Sequence, residues 1–159
     1  MNVKFVSRGD AKKYISKNHF IDADCDLVSI SDTHKEAEQM KELWLANKKH
    51  ANAAVFLRFA DMDDSSSGFD SKKAETICNF LEQSFRKKKD VIVHCFAGIS
   101  RSGAVAKFAN EYYGLNDAYL DTYAGHNLWV FYTLLEQAGV PTQRQYYGDL
   151  EKRLGKENS

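Results

Sequence analysis

The sequence has one proline, Pro141, and no low-complexity tract longer than Ser65-Ser66-Ser67. That leaves no linker-like stretch, and no repeat at solenoid period interrupts the chain, so one domain over residues 1–159 is expected. Cysteine is also scarce: Cys25, Cys78 and Cys95 make an odd count with no Cys-x-x-Cys pair. Zinc ribbons and fingers are thereby excluded, and free thiols in a reducing, cytoplasmic setting fit better than a disulfide scaffold. Neither sign of charge is in excess, since 22 Lys+Arg balance 22 Asp+Glu. Composition thus gives no support to a polybasic nucleic-acid binder or an acidic tail protein. The apolar runs, such as Ala53–Leu57 and Val91–Val93, are too short to cross a bilayer, and Asn2–Asp10 lacks the pattern of a signal peptide. No nucleic-acid or membrane partner, and no metal or other cofactor, is expected, and the chain reads as a monomer.

What is present is enough for a core. Of the 159 residues 43% are hydrophobic and 13% aromatic, which argues against disorder and needs no staples. Short apolar strands alternate with longer helical segments: strands at Val3–Val6, Leu27–Ile30, Ala54–Phe59 and Asp90–His94. Helices are expected from a cap at Asp10 to about Asn18, over Lys35–Asn47, from Ser71 to the Arg86–Lys89 tetrad, over Gly103–Tyr113, around Asn127–Gln137 and over Thr142–Leu154. In the helix from Ser71, Ala74, Ile77, Cys78, Leu81 and Phe85 keep the spacing of a buried stripe. The alternation predicts an α/β fold, a mostly parallel sheet of about four or five strands flanked by helices.

Chemistry concentrates in His94-Cys95-Phe96-Ala97-Gly98-Ile99-Ser100-Arg101-Ser102-Gly103. A cysteine ends the most β-like strand, and an arginine six residues later opens a helix. A short loop of this kind turns backbone N–H groups inward as an anion nest, and the helix start adds its unpaired amides and positive dipole end. Arg101 can donate two parallel hydrogen bonds to phosphate oxygens, and the same field favours the nucleophilic thiolate of Cys95. A Walker loop does not fit, because Gly103 is followed by Ala104-Val105 rather than Lys-Ser/Thr.

The pattern His-Cys-x-Ala-Gly-x-Ser-Arg-Ser resembles the signature loop of cysteine-dependent protein phosphatases. It is most similar to the small dual-specificity and tyrosine phosphatases, including compact bacterial and phage-encoded members. Leu27–Ser31, Leu57–Asp61 and Asn127–Leu135 resemble further parts of that family. The low-molecular-weight tyrosine phosphatases match less well, since their loop lies near the N-terminus. The resemblance implies Cys95 as nucleophile and residues Phe96, Ala97, Gly98, Ile99, Ser100 and Arg101 as the phosphate-binding loop. It also implies Ser102 as donor to the cysteine sulfur and His94 as loop support. The leaving group needs a proton, and Asp61, at a Phe-x-Asp position directly after a strand, is the expected general acid, with Asp63 as the alternative. Either Cys25 or Cys78 is a candidate resolving partner for oxidised Cys95.

The implied activity is metal-independent hydrolysis of phosphotyrosine, with phosphoserine and phosphothreonine as further substrates, through a phosphocysteine intermediate in phosphorylated proteins. A phosphoinositide or RNA 5′-phosphatase of similar fold is the alternative enzyme, although lipid-acting relatives tend to carry lysines inside the loop and this one has none. A catalytically inactive phosphoprotein-binding module is the alternative of another class; Cys95 and Arg101, both intact, argue against it.

Overall fold

Four strands pair through the alternation visible in the sequence. The computed structural model of the chain describes residues 1–16, 25–47 and 52–157. Its strands are β1 (Val3–Ser7), β2 (Cys25–Ser31), β3 (Ala54–Arg58) and β4 (Asp90–Cys95). They form one sheet in the order β1-β4-β2-β3, with every pair parallel. Helices α1 (Arg8–Ser16), α2 (His34–Asn47), α3 (Ser71–Arg86), α4 (Arg101–Tyr113), α5 (Ala118–Thr122), α6 (Leu128–Gln137) and α7 (Gln143–Glu157) complete the described elements, with a 3-10 turn at Ser65–Ser67.

The two-residue period of a strand sends successive side chains to opposite faces, and this sorts the core. Leu27 and Ile92 face α1 and α2, packing with Ala11, Ile15, Met40 and Trp44. Val28, Ile30, Val91 and Val93 face the other way, into a larger cluster with α3, α4 and α6. Both sides of β2 are covered, so all seven of its residues are buried. Parallel sheets require this double covering.

The elements largely follow the sequence reading, with three departures. The first helix starts at Arg8, and its cap is Ser7, whose hydroxyl accepts the N–H of Asp10; Asp10 is inside the first turn. The expected end of that helix at Asn18 lies outside the described residues. Phe85 does not join the buried stripe of α3 but stacks on Tyr113 at 41% exposure, because the stripe turns to Ser84 at the helix end. The short helix α5, absent from the sequence reading, is capped by Asp117, whose carboxylate accepts from Tyr119 and Leu120.

Candidate active site

In a parallel sheet the carboxyl ends of the strands open onto a crevice, and β4 delivers Cys95 there. The loop from Phe96 to Ser100 then runs back over the junction of β1 and α1. Gly98 has a φ of +71°, and a Cβ there would fall 2.3 Å from the backbone nitrogen of Ser7. Only glycine permits that approach.

Three loop carbonyls are engaged from outside. The amide of Arg8 donates to Phe96 O at 3.1 Å, and the amide of Asn127 donates to Ser100 O at 2.9 Å. The hydroxyl of Tyr123 donates to Ile99 O at 2.7 Å. In a trans peptide, C=O and the following N–H point in opposite directions. The amides of Ala97, Ser100 and Arg101 therefore turn towards the inside of the loop, which is the arrangement an anion nest needs.

Cys95 is 2% exposed, and its sulfur lies 3.1 Å from the hydroxyl of Ser102, in the first turn of α4. Arg101, the first residue of α4, is itself buried. Its Nη1 donates to Asp32 Oδ1 at 2.7 Å and to Phe59 O at 2.8 Å, which fixes one side of the guanidinium. Nε is buried with no partner among the described residues, an available donor on the other side. A buried donor without an acceptor is costly, and a phosphoryl oxygen would satisfy it.

His94 is fully buried behind the loop. Its Nδ1 lies 3.3 Å from Cys95 O and its Nε2 lies 2.6 Å from Ser29 Oγ. A carbonyl only accepts, so Nδ1 carries the proton and Nε2 accepts from the serine. Burial, with the charges of Arg8 and Arg101 nearby, pushes its pKa down to about 4. The ring is a neutral brace for the end of β4.

The acidic loop after β3 separates by geometry. Asp61 Oδ1 accepts from Ser100 Oγ at 2.8 Å and from Asn127 Nδ2 at 2.8 Å, which puts its carboxylate at the rim of the Cys95 loop. Asp63 points elsewhere: Oδ1 accepts the N–H of Leu128 at 2.9 Å, at the start of α6. Asp64 caps the 3-10 turn through Ser66, and Asp70 caps α3 through Lys73. These bonds hold both carboxyls below the ordinary carboxylate range. Phe96 and Ile99 in the loop, and Met62 next to Asp61, are all about half exposed or more.

Two residues at the site carry no signal in the sequence reading. Asp32 follows β2 in a stretch to which no role is given, and Asn127 enters only as the start of an expected helix and family-like segment. Asn127 does cap α6, its Oδ1 accepting from Val130, while its Nδ2 bonds both Asp61 and Met62 O. Cys25 stands away from Cys95. Cys25 pairs with Asp90, five residues back along β4, or about 16 Å at ~3.3 Å per residue. A disulfide tolerates Cα separations of no more than about 7 Å, so Cys25 is excluded as its partner. Cys78 lies against Leu134 O, and burial raises its pKa to about 11. Among the described residues no cluster of three His, Cys, Asp or Glu could hold a metal ion.

Comparison with known proteins adds a family. No curated protein matches the sequence significantly. Among solved structures, the chain is similar in fold to the Cydia pomonella PTP-2 phosphatase, at 18% identity and a TM-score of 0.51, covering 96% of this chain and 85% of that one. OH1 from the Orf virus, described as a tyrosine phosphatase with triple substrate specificity, matches at 19% identity and a TM-score of 0.50, over 85% and 81% of the two chains. PTPMT1, a structure also solved in complex with PI(5)P, matches at 14% identity and a TM-score of 0.51, over 95% of each. At these identities the likeness is one of fold. The family model described as "Tc-R-P: Polymorphic toxin system, DSP-PTPase phosphatase" matches residues 23–109. That match covers more than half of the chain, and the protein belongs to this DSP-PTPase phosphatase family.

Proposed function

We propose that residues 1–159 form one catalytic domain that hydrolyses phosphotyrosine in proteins, and phosphoserine and phosphothreonine with it, through a phosphocysteine intermediate. The observation that carries this reading is the convergence of Cys95, Ser102, the free Nε of Arg101 and Asp61 on one loop. Cys95 Sγ attacks phosphorus in line, and the P–O bond to the alcohol or phenol breaks as the P–S bond forms. The inward amides and Arg101, donating from Nε and Nη2, hold the equatorial oxygens while Nη1 keeps its grip on Asp32. Asp61 gives its proton to the departing oxygen. Both of its observed bonds fall on Oδ1, which leaves Oδ2 for the proton. In the second step the same carboxylate takes a proton from water, which attacks phosphorus, and Ser102 donates to the sulfur as it leaves.

The apolar rim of Met62, Phe96 and Ile99 supports an aryl ester over a polyanionic inositol headgroup or an RNA 5′ end, which would call for lysines there. A cysteine nucleophile needs a reducing medium, which supports a cytoplasmic site of action. The chain acts as a monomer on this reading. No described helix is long and apolar enough to cross a membrane. The test is a panel of phosphotyrosyl, phosphoseryl, phosphoinositide and RNA 5′-phosphate substrates in reducing buffer with chelator. Phosphotyrosyl peptides should turn over fastest, and Cys95→Ser should abolish the activity. Preferential turnover of an inositide or RNA end, or loss of activity with chelator, would overturn the assignment.

A further inference from the structure

We propose that Arg153, on the last helix α7, is a positioning residue for Asp61, an inference that rests on the phosphatase reading above. Its guanidinium reaches across a cavity of about 890 Å³ between α4, α6 and α7 to the strap that precedes α6. Nη1 and Nη2 both donate to His126 O at 3.0 Å, and Nη2 also donates to Ala124 O at 3.2 Å. Nη1 lies 3.6 Å from Asp63 Oδ1. The same helix supplies Tyr146, whose hydroxyl donates to Asp63 O at 2.6 Å. One forked cation thus fastens the strap to the acidic loop, and α7 holds that loop a second time through Tyr146.

The residue after His126 is Asn127, the group that bonds Asp61 Oδ1, Met62 O and Val130 N–H together. Its position follows from that of the strap. Arg153 touches neither Asp61 nor the Cys95 loop; it acts by fixing where Asn127 stands and hence where the acid's second oxygen points. A planar fork with several donors suits this task, and a lysine, a point charge on a flexible stem, would not reproduce it.

An effect carried by acid position has a signature that general loosening of the fold lacks. Esters with poor leaving groups depend on proton donation, whereas a dinitrophenyl ester leaves without it. Arg153→Ala should slow phenyl phosphate by roughly tenfold to a hundredfold and dinitrophenyl phosphate by less than about threefold, since small displacements of an acting group cost rate on that scale. Its pH–rate profile for phenyl phosphate should lose the basic limb. Inhibition by inorganic phosphate should be unchanged, because the loop and Arg101 are not disturbed. Arg153→Lys, which keeps the charge and guards against a failure to fold, should show the same selectivity to a smaller degree. Equal slowing of both esters, or no slowing of either, would overturn the role of Arg153 while leaving the phosphatase reading intact. A wild-type chain without activity on either ester would overturn that reading and the inference with it.

Discussion

Ser100 donates its hydroxyl to Asp61 Oδ1 across 2.8 Å, joining the loop that holds Cys95 to the loop that holds the proposed acid. Asn127 reaches the same oxygen at 2.8 Å. The position of Asp61 is therefore a property of three segments distant in sequence, brought to one end of the sheet.

Separating the two candidate acids is the first prediction. Asp61→Asn should lower the turnover of phenyl phosphate by about 10² or more and flatten the basic limb of its pH profile, the size a positioned general acid contributes. Asp63→Ala should keep that limb, because Arg153 still holds the strap through His126 O and Ala124 O, and instead lower stability by about 1 kcal/mol, because it removes the acceptor for the N–H of Leu128. Steady-state pH profiles and urea denaturation of both variants check this.

Arg101 is held by Asp32, and the second prediction follows from that bond. Asp32→Ala frees Nη1 from its side-chain anchor and should raise KM for phosphate esters by about tenfold, the scale of one charge-assisted hydrogen bond. A larger fall in kcat than rise in KM would mean that Asp32 acts on the chemical step instead.

Gly98 supplies the third. Its positive φ and the 2.3 Å approach to the Ser7 nitrogen leave no room for a methyl group. Gly98→Ala should remove detectable activity and lower stability by about 1–3 kcal/mol or more, the range of a strained backbone position. Thermal unfolding and an aryl phosphate assay give both numbers.

The fourth concerns acid sensitivity. His94 and His126 are both held neutral, burial pushing each pKa to about 4 from an ordinary 6.5. The unfolded chain takes up protons below pH 6.5 that the folded chain refuses, so their contribution is full above 6.5 and is lost as pH falls towards 4. Each group should cost about 2 kcal/mol of stability between pH 7.5 and 5. Urea titrations across that range check it, and His94→Asn should reduce the slope by close to one proton.

The sheet, the Cys95 loop and the start of α4 were legible in the sequence because each is a local pattern. Val91–Val93 reads as a buried strand, and Cys95 to Arg101 reads as an anion nest, without reference to anything else in the chain. The position directly after a strand favours Asp61 over Asp63, but no local pattern shows which of them reaches the loop. They lie two residues apart on one irregular loop, and which carboxylate meets Ser100 depends on how that loop turns. Asp32, Asn127 and Arg153 were illegible for a related reason. Each sits in a helix or helix-cap context that accounts for its residue type locally, and only the packing of separate elements gives it a second partner. Phe85 shows the limit of periodicity, keeping the spacing of the stripe while the buried face at the end of α3 passes to Ser84.

In the proposed mechanism Cys95 carries the phosphoryl group. Acid quenching of the chain during turnover of an aryl phosphate, followed by peptide mass spectrometry, tests it most directly. A phosphate adduct is expected on the peptide containing Cys95, present in the wild type and absent from Cys95→Ser. A phosphate adduct on any other residue, or hydrolysis that persists in Cys95→Ser, would contradict it.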